Sequence, residues 1–188
     1  IWAFAPEKVL AVRAGWAEAN PDLTGRLMRM IWRAGRWLGQ PGNRDLVSDI
    51  LAAPGRLPIA AGVIDRALSG RLLINAAGEM RAAPHLITFH RGAASFPWKS
   101  QAAWIAARLA ARHGQDPAAA ARAAAACFRT DLYRLHLGPA GADLPLSDAK
   151  PEGAQAAEGP VATARGQVIL LADPFFDRRI FDPAPPLG

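Results

Sequence analysis

The sequence predicts a predominantly helical chain with minor strand, built either as a compact domain or as the helix-rich half of an α/β protein. Three observations carry that reading. In NPDLTGRLMRMIWRAGRWLGQPGN, residues 20–43, apolar residues recur at helical spacing. WKSQAAWIAARLAARHG and DPAAAARAAAACF are helical through their alanine content. Only short β-like runs, at 72–74 and 86–89, interrupt the helices.

Taken in order, EKVLAV (residues 7–12) is short, apolar and β-branched at its end, as a strand or a helix start would be. In the long helix that follows, Asn20 or Asp22 is suited to the N-cap and Pro21 to the first turn. Leu23, Leu27, Met30, Ile31, Ala34 and Leu38 form its expected buried face, and Gly39 with Pro41 stops it. NRDLVSDILAA predicts a second helix with Asn43 as cap and Leu46, Val47, Ile50 and Leu51 on one face, ended by Pro54. PIAAGVIDRALSG predicts a third, closed by Gly70. The runs at 72–74 and 86–89 then flank a polar turn, which fits a hairpin.

Beyond Pro97 the helix from Trp98 is expected to bury Ala102, Ile105, Ala106 and Leu109 before Gly114 ends it. Asp116 and Pro117 open the alanine helix, and TDLYRLHLG adds a short capped one. After Gly138 the texture turns to Pro, Gly and Ala, and KPEGAQAAEGP reads as irregular. One apolar run, GQVILLA, precedes aromatic anchors at Phe175, Phe176 and Phe181 and a proline-rich end, together a tail strapped across the body.

Net charge is +6, carried mostly by arginine. That balance suits nucleic acid, acidic lipid or a small anion. Arg26, Arg29, Arg33 and Arg36 share one helical stripe, which reads as the solvated face of an amphipathic helix, and no nucleic-acid recognition signature accompanies it. No apolar run approaches the roughly 20 residues a membrane span needs. A single cysteine, Cys127, excludes an internal disulfide. The chain opens on Ile1 without an initiator methionine, so an upstream part is expected, where a leader or lipid anchor would lie.

Catalysis finds little support in these residues. His85 and His90 stand five apart without partners for a zinc set, so no metal site is expected. Ser95 lacks a nucleophile elbow, and Cys127 in an alanine helix reads as a buried, inert thiol. Asp173, Asp177 and Asp182 resemble turn formers more than an acid/base pair. No phosphate-cradling glycine loop is present, no cofactor is implied, and the reading is of a protein that is not an enzyme. What remains is anion binding by a basic group at a cleft. Lys8, after Pro6-Glu7, is either such an ammonium or a plain surface lysine.

Several blocks together resemble the nitrate-binding proteins of the NrtA/CmpA type. They are Trp2 with Pro6-Glu7-Lys8-Val9-Leu10, Trp16-Ala17 and Asn20-Pro21, then FHRGAASFPWKSQAAWIAARLA, FRTDLYR, DAKPEG and PFFDRRIFDP, in the order the family has them. The resemblance implies an α/β fold of the periplasmic-binding-protein type (type II, two-lobed). This chain would be a helix-rich C-terminal part, with residues 1–138 belonging to the solute-binding domain and 139–188 forming an extended Pro/Gly-rich tail packing on the body. It implies a small inorganic anion as ligand (nitrate, nitrite or bicarbonate) and Lys8 as the anion-binding cation.

The implied setting is an ABC-type uptake system with its permease, periplasmic or membrane-associated. The alternative within the family is a cytoplasmic NasS-like nitrate sensor that holds an RNA-binding antiterminator. Outside it stands a basic helical interaction module binding nucleic acid directly, which is not expected here. Within FHRGAASFPWKS, Phe96 and Trp98 read as packing anchors of a connector, with His90 and Arg91 as the residues a ligand would meet.

Overall fold

The structure, a computed structural model, describes residues 2–183, so the proline-rich end beyond Pro183 lies outside the described residues. The chain divides into two compact units, Ile1–Met30 with Gly92–Gly188, and Ile31–Arg91. The division falls within a helix.

Helix α1 (Trp16–Ala19) is a single turn, followed by α2 (Pro21–Leu38). Asn20 does not cap α2 through its side chain. Its Nδ2 donates to the Trp16 carbonyl at 3.0 Å and so closes α1. Thr24 Oγ1 donates to the Asn20 carbonyl at 2.9 Å and ties the two helices across the proline. The buried face of α2 differs from the expected one. Thr24, Gly25 and Trp32 are buried, whereas Leu23, Met30, Ile31 and Ala34 are exposed. Close approach selects that face: a Cβ on Gly25 would stand 2.7 Å from His136 Nδ1, so only glycine admits the histidine there.

In the unit Ile31–Arg91, α3 (Arg44–Ala52) and α4 (Ala61–Ser69) pack together, and Val47 and Ile64 are buried, as is Trp32 of α2. Leu46 and Ile50 point outward instead of joining Val47. Asn43 makes no cap bond to α3; its Nδ2 donates to the Trp37 carbonyl at 2.9 Å, satisfying the end of α2. Gly70, in the left-handed conformation, closes α4 as expected. The hairpin pairs β1 (Arg71–Leu73) with β2 (Met80–Ala82), antiparallel, Leu72 opposite Arg81. The second strand therefore precedes the apolar run at 86–89, because Asn75 tightens the turn. Its Oδ1 accepts from the amides of Ala77 and Glu79, both at 3.1 Å. Phe89 instead packs on α2, where a Cβ at Gly35 would lie 3.6 Å from it.

In the other unit, α5 (Lys99–Arg112) and α6 (Pro117–Cys127) form a helical pair. Ala102, Ala103, Ala110 and Ala125 are buried while Ile105 and Leu109 are exposed, since alanine lets helix backbones approach and larger residues turn aside. Asp116 caps α6, its Oδ1 accepting from the Ala118 amide at 2.9 Å. Asp116→Ala is expected to cost about 1 kcal/mol, read as a lowered urea midpoint. Helix α7 (Thr130–Leu137) buries Tyr133 and Leu137. The last element is a hairpin of β3 (Gly159–Thr163) and β4 (Gly166–Leu170), with Val161 opposite Val168.

Two aromatic clusters hold this unit. Trp104 and Phe175 stack at 4.9 Å between ring centres, with Trp2 tilted 5.0 Å from each. Phe96 meets Trp98 and Tyr133 edge-on at 4.9 and 5.2 Å. Among the described residues no helix is long and apolar enough to cross a membrane.

Candidate functional site

Lys8 lies in a stretch, residues 5–13, without helix or strand. Its side chain is 90% exposed, and the nearest carboxylate is Glu7, with Nζ to Oε2 at 3.7 Å. Val9, Leu10 and Val12 beside it are exposed as well. Among the described residues no backbone hydrogen bond uses the groups of residues 5–12. A β-branched, apolar, unpaired stretch of this kind leaves donors and acceptors available to a further chain.

The loop from Phe89 to Ser100 does position a helix. Phe96 and Trp98 are 2% and 3% exposed, as expected of packing anchors. Ser95 Oγ lies 2.9 Å from Tyr133 Oη, which occupies the hydroxyl. Burial raises the Tyr133 phenol, and the Ser95 bond opposes that in part. His90 is half-buried with its imidazole over Gly39, where an added Cβ would meet Nδ1 at 2.7 Å. Its Nδ1 has no hydrogen-bond partner among the described residues. His85 and Arg91 both have partners and lie apart from Lys8 in sequence. Cys127 is exposed, not buried, at the last position of α6, and its Sγ donates to the Ala123 carbonyl at 3.4 Å. Of the arginine stripe, Arg36 rests over the Trp32 ring at 4.9 Å.

The strongest charge cluster involves residues that sequence reasoning passed over. Lys150 Nζ donates to Glu152 Oε2 at 2.5 Å and also to Asp173 Oδ2. Ser100 Oγ donates to Glu152 Oε1 at 2.6 Å and accepts from the Lys150 amide at 3.1 Å. The Gln155 amide donates to Asp173 Oδ1 at 2.9 Å. Glu152 is 0% and Asp173 2% exposed, and Lys150 Nζ lies 5.9 Å from the centre of the Trp98 ring. Burial pushes the Glu152 carboxyl up, while Lys150 and Ser100 pull it down. Both carboxylates are buried and engaged with Lys150, so the cluster ties α5 to the C-terminal region and its acids are not open to solute. Asp173, expected as a turn former, is thus an interior ion-pair partner. The available signals were the DAKPEG block, which contains Lys150 and Glu152, and PFFDRRIFDP, which Asp173 immediately precedes.

Two further arginines make ion pairs nearer the surface. Arg134 Nη2 meets Asp148 Oδ1 at 2.7 Å. Burial works to raise the Asp148 carboxyl, but Arg134, Thr130 and Lys99 together hold it below the ordinary range. Arg129 spans Glu18 and Asp131, lowering both carboxyls through its hydrogen bonds. Arg129 thereby ties α1 to the start of α7.

Residues 1–52 match the family described as NMT1-like. The chain is 27% identical over 99% of its length to the bicarbonate-binding protein CmpA of Synechococcus elongatus, covering 40% of that protein. It is 30% identical over 80% of its length to the nitrate/nitrite binding protein NrtA of the same organism, covering 34% of it. The periplasmic nitrate-binding protein NrtA from Synechocystis PCC 6803 superposes with a TM-score of 0.71 at 22% identity, over 93% of this chain and 42% of that one. The fold is therefore that of part of a periplasmic binding protein, α/β and rich in helix. The chain spans about two fifths of the length of the curated relatives it matches.

Proposed function

We propose that this chain, which belongs with the NrtA/CmpA type of binding proteins, supplies one side of a cleft that closes on nitrate or a similar small inorganic anion. The observation that carries the reading is the likeness along 99% of the chain to a protein named for bicarbonate binding, with NrtA proteins beside it. Lys8 is the cation of that cleft. Its exposed, weakly paired ammonium on an unpaired extended stretch supports the role. A compact ammonium neutralises an oxyanion without requiring a bidentate geometry, and the remaining bonds come from backbone donors.

The anion serves uptake, through the permease of an ABC-type importer, at the periplasmic face. The relatives are named as binding proteins, which favours this over a sensor or a nucleic-acid module. Binding without chemistry is the whole activity.

Titration calorimetry on the full-length protein tests the reading. Nitrate or bicarbonate should bind, and Lys8→Ala should weaken the better of the two by about 10- to 100-fold, the range for losing one bond to a charged group. Equal affinity in the variant would remove Lys8 from the site. Indifference of the wild-type protein to both anions would overturn the function itself.

A further inference from the structure

We infer that the cleft between α5 and the loop 175–181 docks an acidic segment of a protein partner, which seats an apolar side chain in it. The cleft has a volume of about 420 Å³, within the size range of side-chain and ligand pockets. Trp104 and Arg108 line it from α5; Phe176, Arg179, Ile180 and Phe181 line it from the loop.

The loop is held at both ends. On one side the Ala3 amide donates to the Pro174 carbonyl at 3.1 Å, and Trp2 bridges Phe175. On the other, Glu152 and Phe181 exchange backbone hydrogen bonds of 2.8 and 2.9 Å. Between these staples Arg178 is fixed at φ 58, a left-handed conformation unfavourable for a residue with a side chain. Strain held by two anchors at the rim of a cleft is a feature of binding sites. What the loop displays is apolar and basic: Phe176 is 79% and Ile180 59% exposed, with Arg178 and Arg179 between them. A preformed loop loses little entropy when something settles on it.

Charge selects the occupant. Arg108 lies over the Trp104 ring at 5.7 Å and has no ion pair among the described residues. Asp177 is the carboxylate that lines the cleft, and it sits 3.7 Å from Arg179. Arg179 is matched by Asp177, so in the lining Arg108 is the cation left over, and Arg178, next to Arg179 in the loop, adds to a cationic excess that carboxylates would answer. Trp, Arg and Phe side chains around a concavity are also the types that dominate protein interfaces. A lipid surface would meet Phe176 and Ile180 but would leave the concavity unfilled. A small molecule would leave the exposed Phe176 uncovered. Lys8 is not among the residues that line this cleft, so the inference does not depend on which solute the protein holds.

Panning a phage-displayed library of short random peptides on the full-length protein tests this. The selected peptides should be acidic with an aromatic or large aliphatic residue. A synthetic representative should bind the wild type and weaken by at least about tenfold on Arg108→Glu or on Phe176→Ser, and weaken with added salt. Both positions are exposed, so circular dichroism and melting temperature should stay unchanged. Peptides without acidic residues, or equal binding by both variants, would overturn the inference. So would Phe176-dependent binding of phosphatidylglycerol vesicles with no acidic peptide selected, which would make the surface a membrane contact.

Discussion

Lys150→Met is expected to destabilise the fold by about 3–5 kcal/mol at neutral pH, the range for removing one partner of a buried ion pair. Lys150 is the cation shared by two carboxylates, Glu152 and Asp173, of which neither has more than 2% of its surface in water. Ser100 and the Gln155 amide remain as donors, but two hydrogen bonds do not neutralise two charges. Against a typical total of about 5–15 kcal/mol, such a loss brings a domain near unfolding.

The pH dependence distinguishes this from simple loss of packing. Burial already holds the Glu152 carboxyl above its ordinary value of 4.5, against the pull of Lys150. A carboxyl raised in the fold stabilises it below the ordinary value and loses that contribution as pH rises through the folded value. Without the ammonium the upward push is unopposed by charge. The variant should therefore recover stability on acidification towards about 4, relative to wild type. Urea unfolding at neutral and acidic pH reads the difference. A variant equally destabilised at both, or not destabilised at all, would show that the ammonium does not neutralise these carboxylates.

Gly153→Ala is the second large effect, expected at about 2–4 kcal/mol from left-handed strain plus overpacking. Gly153 has φ 83, and an added Cβ would meet Phe175 Cδ2 at 2.4 Å and the Arg179 carbonyl at 2.9 Å. Neither neighbour can give way. Phe175 is stacked on Trp104 and the carbonyl belongs to the stapled loop. Gly55→Ala serves as the comparison, because φ is 80 there and nothing lies within 4 Å. It should cost only the backbone strain, about 1 kcal/mol. Adding Phe175→Leu to Gly153→Ala should cost less than the sum of the single changes, since the shorter side chain makes room. Thermal melts of the four variants check this, and equal losses at Gly153 and Gly55 would refute the packing account.

Helix positions were legible because their causes are local. Apolar spacing, Pro117 after Asp116, and Gly70 at a C-terminus act within a few residues, and α2, α5, α6 and α7 lie where those signals put them. Which face of a helix would be buried was not legible. Hydrophobicity says that Leu23, Met30, Ile105 and Leu109 lose free energy in water, but not which neighbour covers them. Gly25 of α2 and the alanines of α5 and α6 take contact faces, because backbones come closest there, while Leu23, Met30, Ile105 and Leu109 stay outside.

The same limit applies to the sites. Lys8 stood out through its block, a property of the chain read in order. Ser100, Lys150 and Glu152 also lie in such blocks, but their meeting with Asp173 could not be read, since the members lie 50 and 23 residues apart and each alone resembles a surface or turn residue. The sequence alone determined the helices, the basic balance and the family likeness, all set by neighbours along the chain. Only the tertiary structure decided which charges left water together and which apolar side chains stayed in it, because desolvation depends on what the returning chain brings into contact.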